Sequence, residues 1–291
     1  MAESVLEHRM GADTAGAGEY APVNGLNLYY ERYGSGRPLV LLHGGFGVIG
    51  QMFGHLIPLL AAQRQVIAVE LQGHGHTGDI DRPLSFEALA DDIAALLRHL
   101  GLAQADLCGY SLGGGVALQT AIRHPALVGK LVLISAPARR QGWYPATLAG
   151  MAAVNGVAAA TWVGSPMHAA YAAVAPNVDA WPALADKLQA LLGQEYDWSA
   201  QVGALPMPVL IVVGDADAVR TAHAVEMFAL LGGGQQPAGL GVPLPQGRLA
   251  ILPGTTHYDI IFRTDLLVPI LTTFLAAAPA EAMREPPAEG R

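Results

Sequence analysis

The stretch Ala105-Asp106-Leu107-Cys108-Gly109-Tyr110-Ser111-Leu112-Gly113-Gly114-Gly115 decides how this chain is read. Its first half, Ala105–Gly109, is a short apolar run of strand type, and Leu112 opens a helical run that extends to His124. Between them Gly109, Ser111 and Gly113 form G-x-S-x-G. A serine on a sharp strand-to-helix turn sits on strained backbone, so its neighbours two residues away must be small. Such a turn lifts the hydroxyl above the carboxyl edge of a sheet. The helix that follows points free N–H groups and the positive end of its dipole at any oxygen that becomes negative there. Leu112 would supply one of those N–H groups.

Working outward, six further apolar runs read as strands: Leu26–Tyr33, Pro38–His43, Val66–Glu70, Lys130–Ser135, Pro208–Gly214 and Arg248–Leu252. Runs such as LVLL, VIAV, LVLI and VLIVV lack polar alternation, which is the pattern of strands covered on both faces. Helical segments separate them at Ser85–Leu100, Leu112–His124, Ala180–Leu192, Ala218–Leu231 and Asp265–Leu275. Ser85 is placed to cap the first, Glu87 puts negative charge in its first turn, and Gly101 ends it. Strand and helix in alternation give an α/β fold with a mostly parallel sheet. The rhythm breaks between about Arg139 and Leu205, where only helical segments are legible, so this block is expected to sit as a cap over the strand ends.

Composition narrows the classes. With 291 residues, 52% hydrophobic, 14% charged and a net charge of −8, the chain can bury a large core and is not disordered. The acidic balance excludes a general nucleic-acid surface. A single cysteine, Cys108, excludes an intrachain disulfide and cysteine-rich zinc sites. From Gln141 to Val178 there is no Asp, Glu, Lys or Arg, but the segment is rich in Ala and Gly and is cut by Pro145, Pro166 and Pro176. It reads as a pocket-covering segment rather than a membrane span. Residues 1–20 and 279–291 read as flexible tails without a signal peptide, which points to the cytoplasm.

Two motifs compete for the end of the strand Pro38–His43. Gly45, Gly47 and Gly50 match G-x-G-x-x-G, and Glu70 follows at the end of the next strand, which is a dinucleotide-binding pattern. Alternatively His43-Gly44-Gly45-Phe46-Gly47 is a loop whose backbone N–H groups hold a developing oxyanion. The serine turn downstream favours the second.

From about Leu26 to Leu275 the sequence resembles the α/β-hydrolase family, a carboxylesterase-like or lipase-like branch with a helical cap. The resemblance rests on HGG at His43–Gly45, GYSLG at Gly109–Gly113, GDAD at Gly214–Asp217 and PGTTH at Pro253–His257, in the family's order. It implies an α/β-hydrolase core at 21–136 and 205–278 with the cap at 137–204. It implies Ser111 as nucleophile, Asp217 as the acid that orients the base, and His257 as general base. Asp215 more readily caps the turn. Leu112 with Gly45 or Phe46 would form the oxyanion hole, and His43 would hold that loop. Tyr110, Trp143, Tyr144, Met167 and Tyr171 are candidate pocket residues, with Phe46, Trp162 and Trp181 as further aromatics. His74 and His76 lack the acids or cysteines that would complete a metal site.

The implied activity is hydrolysis of small to medium hydrophobic esters through an acyl-enzyme, with no cofactor and no metal. The partner is a small-molecule ester; monomer and homodimer both fit. The same residues serve C–C bond hydrolysis, lactone hydrolysis and perhydrolysis, which fold and triad do not separate. A non-catalytic receptor or a nicotinamide enzyme are the more distant readings.

Overall fold

The computed structural model describes residues 17–239 and 242–277. Eight strands form one sheet: β1 (Ala17–Val23), β2 (Leu26–Tyr33), β3 (Pro38–Leu42), β4 (Gln65–Val69), β5 (Ala105–Tyr110), β6 (Val128–Ile134), β7 (Val209–Ala216) and β8 (Gly247–Thr256). Their order across the sheet is β1-β2-β4-β3-β5-β6-β7-β8. The pairs β1–β2 and β2–β4 are antiparallel, and every pair from β4 to β8 is parallel. All seven expected strands are present within a few residues of their expected ends.

The unalternating strand sequences follow from their surroundings. In β3, Leu39 and Leu41 enter one core with Val132, Ile134, Leu210 and Val212, while Val40 and Leu42 enter the other with Leu131, Leu133 and Ile211. Helices Phe86–His99 and Leu112–Arg123 cover the second face, and Thr264–Ala276 covers the first. Ser85 caps its helix by accepting from the Ala88 N–H at 3.1 Å.

Two expectations need correction. β1 was not expected, and its first four residues fall in the segment read as tail. They are ordered because β1 pairs along its whole length with β2, from Ala17 opposite Arg32 to Val23 opposite Leu26. A turn at Asn24-Gly25, both at positive φ, makes that hairpin. The strand β8 also runs four residues beyond its expected end, to Thr256. The tail expectations for residues 1–16 and 279–291 lie outside the described residues.

Between β6 and β7 the chain forms helices Pro145–Ala153, Gly156–Ala160, Pro166–Ala172, Trp181–Leu192 and Ser199–Val202. Trp181 anchors this helical insertion: it is 1% exposed, and its Nε1 donates to the Ala159 carbonyl at 3.0 Å. Among the described residues no helix is long and apolar enough to cross a membrane.

Helix Leu112–Arg123 lies hard against the sheet where it leaves β5. A Cβ at Gly113 would stand 2.2 Å from the Leu42 carbonyl oxygen. Gly113→Ala is therefore expected to destabilise the protein by about 1–3 kcal/mol, since backbone on both sides must move. Urea unfolding of the variant beside wild type checks this; an unchanged midpoint would show that the helix can shift freely.

Candidate active site

Parallel strands bring every motif to one edge of the sheet. The oxyanion-loop candidate follows β3, Ser111 follows β5, Ser135 follows β6, Asp217 follows β7 and His257 follows β8. Ser111 has φ 54 and ψ −117, a conformation that costs a residue with a Cβ on the order of 1–3 kcal/mol. Its N–H donates to the Ile134 carbonyl at 2.9 Å, which ties the turn to the neighbouring strand.

Ser111 Oγ lies 3.0 Å from His257 Nε2, and His257 Nδ1 lies 3.0 Å from Asp217 Oδ1. Asp217, not Asp215, meets the imidazole. Asp215 is exposed and, among the described residues, accepts only from the Thr255 N–H, at 3.3 Å. Four donors saturate Asp217: His257 Nδ1 and the Val219 N–H on Oδ1, and the Ser135 hydroxyl and Gly214 N–H on Oδ2. Burial by itself would raise this carboxyl. The hydrogen bond and charge of His257, with the Ser135 and Gly214 donors, outweigh it and hold Asp217 below the ordinary carboxylate value. The carboxylate therefore stays charged beside the imidazole and fixes it with Nδ1 as donor and Nε2 facing Ser111. Ser135 was missed in the sequence because a lone serine after a strand carries no signal. Its φ of 52, rare for a non-glycine residue, appears only in the structure.

The loop after β3 packs directly on this turn. A Cβ at Gly44 would meet Tyr110 Cε1 at 3.0 Å and Ser111 Cβ at 3.4 Å. Among the described residues the N–H groups of Gly45, Phe46 and Leu112 donate to no protein acceptor, so all three remain candidates for holding an oxyanion. His43 is fully buried, donates from Nδ1 to the Gly44 carbonyl at 2.8 Å, and accepts the Leu71 N–H on Nε2 at 3.1 Å. Burial holds it neutral, with its pKa lowered to about 3.

The Ser111 hydroxyl faces a cavity of about 660 Å³ between the sheet edge and the insertion. Phe46, Tyr110, Trp143, Trp162 and Met167 line it, together with Met52, Phe86, Met151, Val154, Leu188 and Tyr196. Tyr144 and Tyr171 do not. Tyr144 precedes Pro145 at the start of its helix and is 45% exposed on the outer surface. Tyr171 packs on Trp181 with ring centroids 5.0 Å apart and donates to the Asn177 carbonyl at 3.1 Å. Helical spacing could not separate inward from outward aromatics in an insertion built of such short helices.

The remaining histidines and Glu70 are engaged elsewhere. Glu70, 1% exposed, accepts from the Ile49 N–H and from the N–H and Nδ1 of His76. His74 is buried, with Nδ1 donating to the Gln72 carbonyl at 2.9 Å. No group of three or more His, Cys, Asp or Glu side chains placed to hold a metal ion is present among the described residues. Cys108 is 2% exposed in the core, and burial pushes its thiol up to about 12.

A sequence profile of the alpha/beta hydrolase fold matches residues 37–264. The chain belongs to the alpha/beta hydrolase family. It is 33% identical over 210 residues to a pimeloyl-[acyl-carrier protein] methyl ester esterase of Chromobacterium violaceum, covering 67% of this chain and 74% of the relative. It is 41% identical over 130 residues to the dihydrolipoyllysine-residue acetyltransferase component of the acetoin cleaving system of Pseudomonas putida, covering 43% of this chain. The chain spans only 35–43% of the length of the first curated relatives it matches. A solved meta-cleavage product hydrolase of Pseudomonas fluorescens superposes with a TM-score of 0.72 at 20% identity, over 89% of this chain and 97% of that one. At that identity the likeness is one of fold.

Two outcomes test this geometry. Ser135→Ala removes one of the four donors to Asp217, and is expected to lower the kcat of any turnover that depends on Ser111 about tenfold with KM nearly unchanged. An unchanged kcat would show that the other three donors suffice. The pH dependence has a definite sign. His43 and His74 stay neutral in the folded state, with values lowered to about 3 and about 4, while the unfolded chain binds protons near 6.5. Each therefore costs stability as pH falls below about 6.5, and the loss continues to the folded values. Urea unfolding is expected to show a loss of about 2 kcal/mol between roughly pH 7 and 5.5. A flat profile would mean that these imidazoles are hydrated.

Proposed function

We propose that this chain is a serine hydrolase that cleaves neutral carboxylic esters with small to medium apolar groups through an acyl-enzyme. The observation that carries the reading is the hydrogen-bonded series Ser111–His257–Asp217 on the wall of a cavity lined, among the described residues, by no Asp, Glu, Lys or Arg. His257 Nε2 takes the Ser111 proton as Oγ attacks the ester carbonyl. The carbonyl oxygen, now negative, accepts hydrogen bonds from the Leu112 N–H and from an N–H of the Gly45-Phe46 turn. His257 passes the proton to the departing alcohol and the acyl group stays on Ser111. Water then loses a proton to His257 and attacks the acyl carbonyl, which releases the acid and restores the serine. Asp217 holds the imidazole throughout. This sequence of steps requires no cofactor.

The relative whose printed name is a methyl ester esterase supports ester cleavage, since it shares 33% identity over 74% of its own length. The uncharged lining argues against the C–C and lactone substrates that carry a carboxylate: placing one in this cavity without a cation costs several kcal/mol.

The test is hydrolysis of p-nitrophenyl esters from acetate to octanoate, beside an anionic monosuccinate ester. Wild type is expected to prefer a neutral ester over the anionic one by at least about a hundredfold in kcat/KM. Ser111→Ala is expected to lose at least about a thousandfold in kcat. Activity that survives Ser111→Ala, or a preference for the anionic ester, would overturn the reading.

A further inference from the structure

Beyond Ser111 and His257, and inward of the exposed Tyr258, Tyr196 is the cavity side chain whose hydroxyl proton has no protein acceptor among the described residues. Tyr196 lies in the insertion, between helix Trp181–Leu192 and Trp198, and lines the cavity. Its ring is clamped by Trp198, stacked at 4.4 Å and 28°, and by Phe86 at 5.7 Å. Its hydroxyl oxygen accepts the Trp143 Nε1–H at 3.1 Å. That bond uses the oxygen as an acceptor and leaves the hydroxyl proton to be donated, and among the described residues nothing receives it. The neighbouring hydroxyls are occupied: Tyr110 donates to the His257 carbonyl and Thr147 to the Ala218 carbonyl. Tyr258 stands 77% exposed at the mouth. Burial pushes the Tyr196 phenol up to about 12, so at neutral pH it is a protonated donor. Trp143 joins it to the reacting centre: the same indole meets the His257 ring edge-on at 5.4 Å. The free donor therefore lies one indole away from the base, in a wall made mostly of hydrocarbon, thioether and aromatic ring.

We propose that Tyr196 is a specificity-determining residue that donates a hydrogen bond to a neutral acceptor oxygen (ether, ketone or hydroxyl) in the part of the substrate remote from the scissile carbonyl. This rests on the ester reading above and names the substrate class within it. A hydrocarbon chain in the cavity would leave the hydroxyl buried with no acceptor, and a site built to make a hydrogen bond rejects the ligand that cannot complete it.

The experiment compares p-nitrophenyl hexanoate with its 3-oxa, 4-oxa and 5-oxa analogues, in which one methylene becomes oxygen, on wild type and on Tyr196→Phe. The oxygen also changes the ester's intrinsic reactivity, but the comparison of the two proteins cancels that effect. At one oxa position the ratio of kcat/KM to that of hexanoate is expected to be about three- to tenfold higher in wild type than in the variant. Binding of the matched ethyl esters, followed by tryptophan fluorescence, is expected to show the same positional preference without turnover in Ser111→Ala and to lose it in Ser111→Ala/Tyr196→Phe. Equal ratios in both proteins, or no positional preference in Ser111→Ala binding, would overturn the proposal. Failure of wild type to hydrolyse any ester would sink the ester reading alone, because the binding preference would still decide the role of Tyr196.

Discussion

At Gly109 and Gly113 the helix Leu112–Arg123 comes so close to β3 and β5 that no side chain fits between them. A Cβ at Gly109 would lie 2.1 Å from the Gly113 carbonyl oxygen, and one at Gly113 would lie 2.6 Å from that of His43. This approach forces the chain to reverse within one residue, and Ser111 takes the strained conformation that the reversal requires. The strain is tolerated because the surroundings overdetermine it: β3 and β6 flank β5 on both sides, and the Ser111 N–H is tied to β6. Two consequences follow from the same contact. The hydroxyl stands clear of the sheet edge, and the first N–H groups of the helix are left without protein acceptors beside it.

The electrostatics are built on the same edge. A buried carboxylate is costly unless its oxygens are fully hydrogen-bonded. Asp217 meets that condition with two backbone N–H groups, a hydroxyl and an imidazole. The two backbone donors come from its own turn, so strand β7 ends in a preformed carboxylate socket before His257 is added. The third comes from Ser135, which like Ser111 takes a positive φ at the end of a parallel strand. Two adjacent strands thus each end in a strained serine, one presenting its hydroxyl to the imidazole and the other to the carboxylate.

The sequence made the central strands legible because a strand covered on both faces must be apolar throughout, and LVLL, VIAV, LVLI and VLIVV are runs of that kind between polar or glycine-rich breaks. Ser111, Asp217 and His257 were legible because turns at strand ends need particular residues at fixed spacing, and G-x-S-x-G leaves little freedom. β1 was not legible: AGEYAPV is an edge strand with Pro22 in it, and its order comes from pairing with β2. The cavity wall was legible only in part. Which face of a short helix turns inward depends on its neighbours: the wall uses Ala146, Thr147, Gly150 and Met151 from one helix, only one of them large. Tyr196 carried no motif, and its importance arises from Trp143, 53 residues earlier in the chain.

The dinucleotide pattern at Gly45, Gly47 and Gly50 shows why spacing needs a structural check. A dinucleotide fold requires the acid after the second strand to remain open to a ribose hydroxyl, and the glycine loop to lead into a helix whose dipole faces the pyrophosphate. Here Glu70 is buried and accepts the Ile49 N–H at 3.1 Å. The acid thereby engages the start of the helix that would have faced the phosphates, and that helix, Ile49–Phe53, is only five residues long. Its other oxygen holds the N–H and ring of His76. Burial raises the Glu70 carboxyl, against the donors that lower it, so adding a phosphate nearby would bring a second negative charge to a group already short of compensation. The acid that would bind a ribose instead fastens the loop after β3 to the turn after β4.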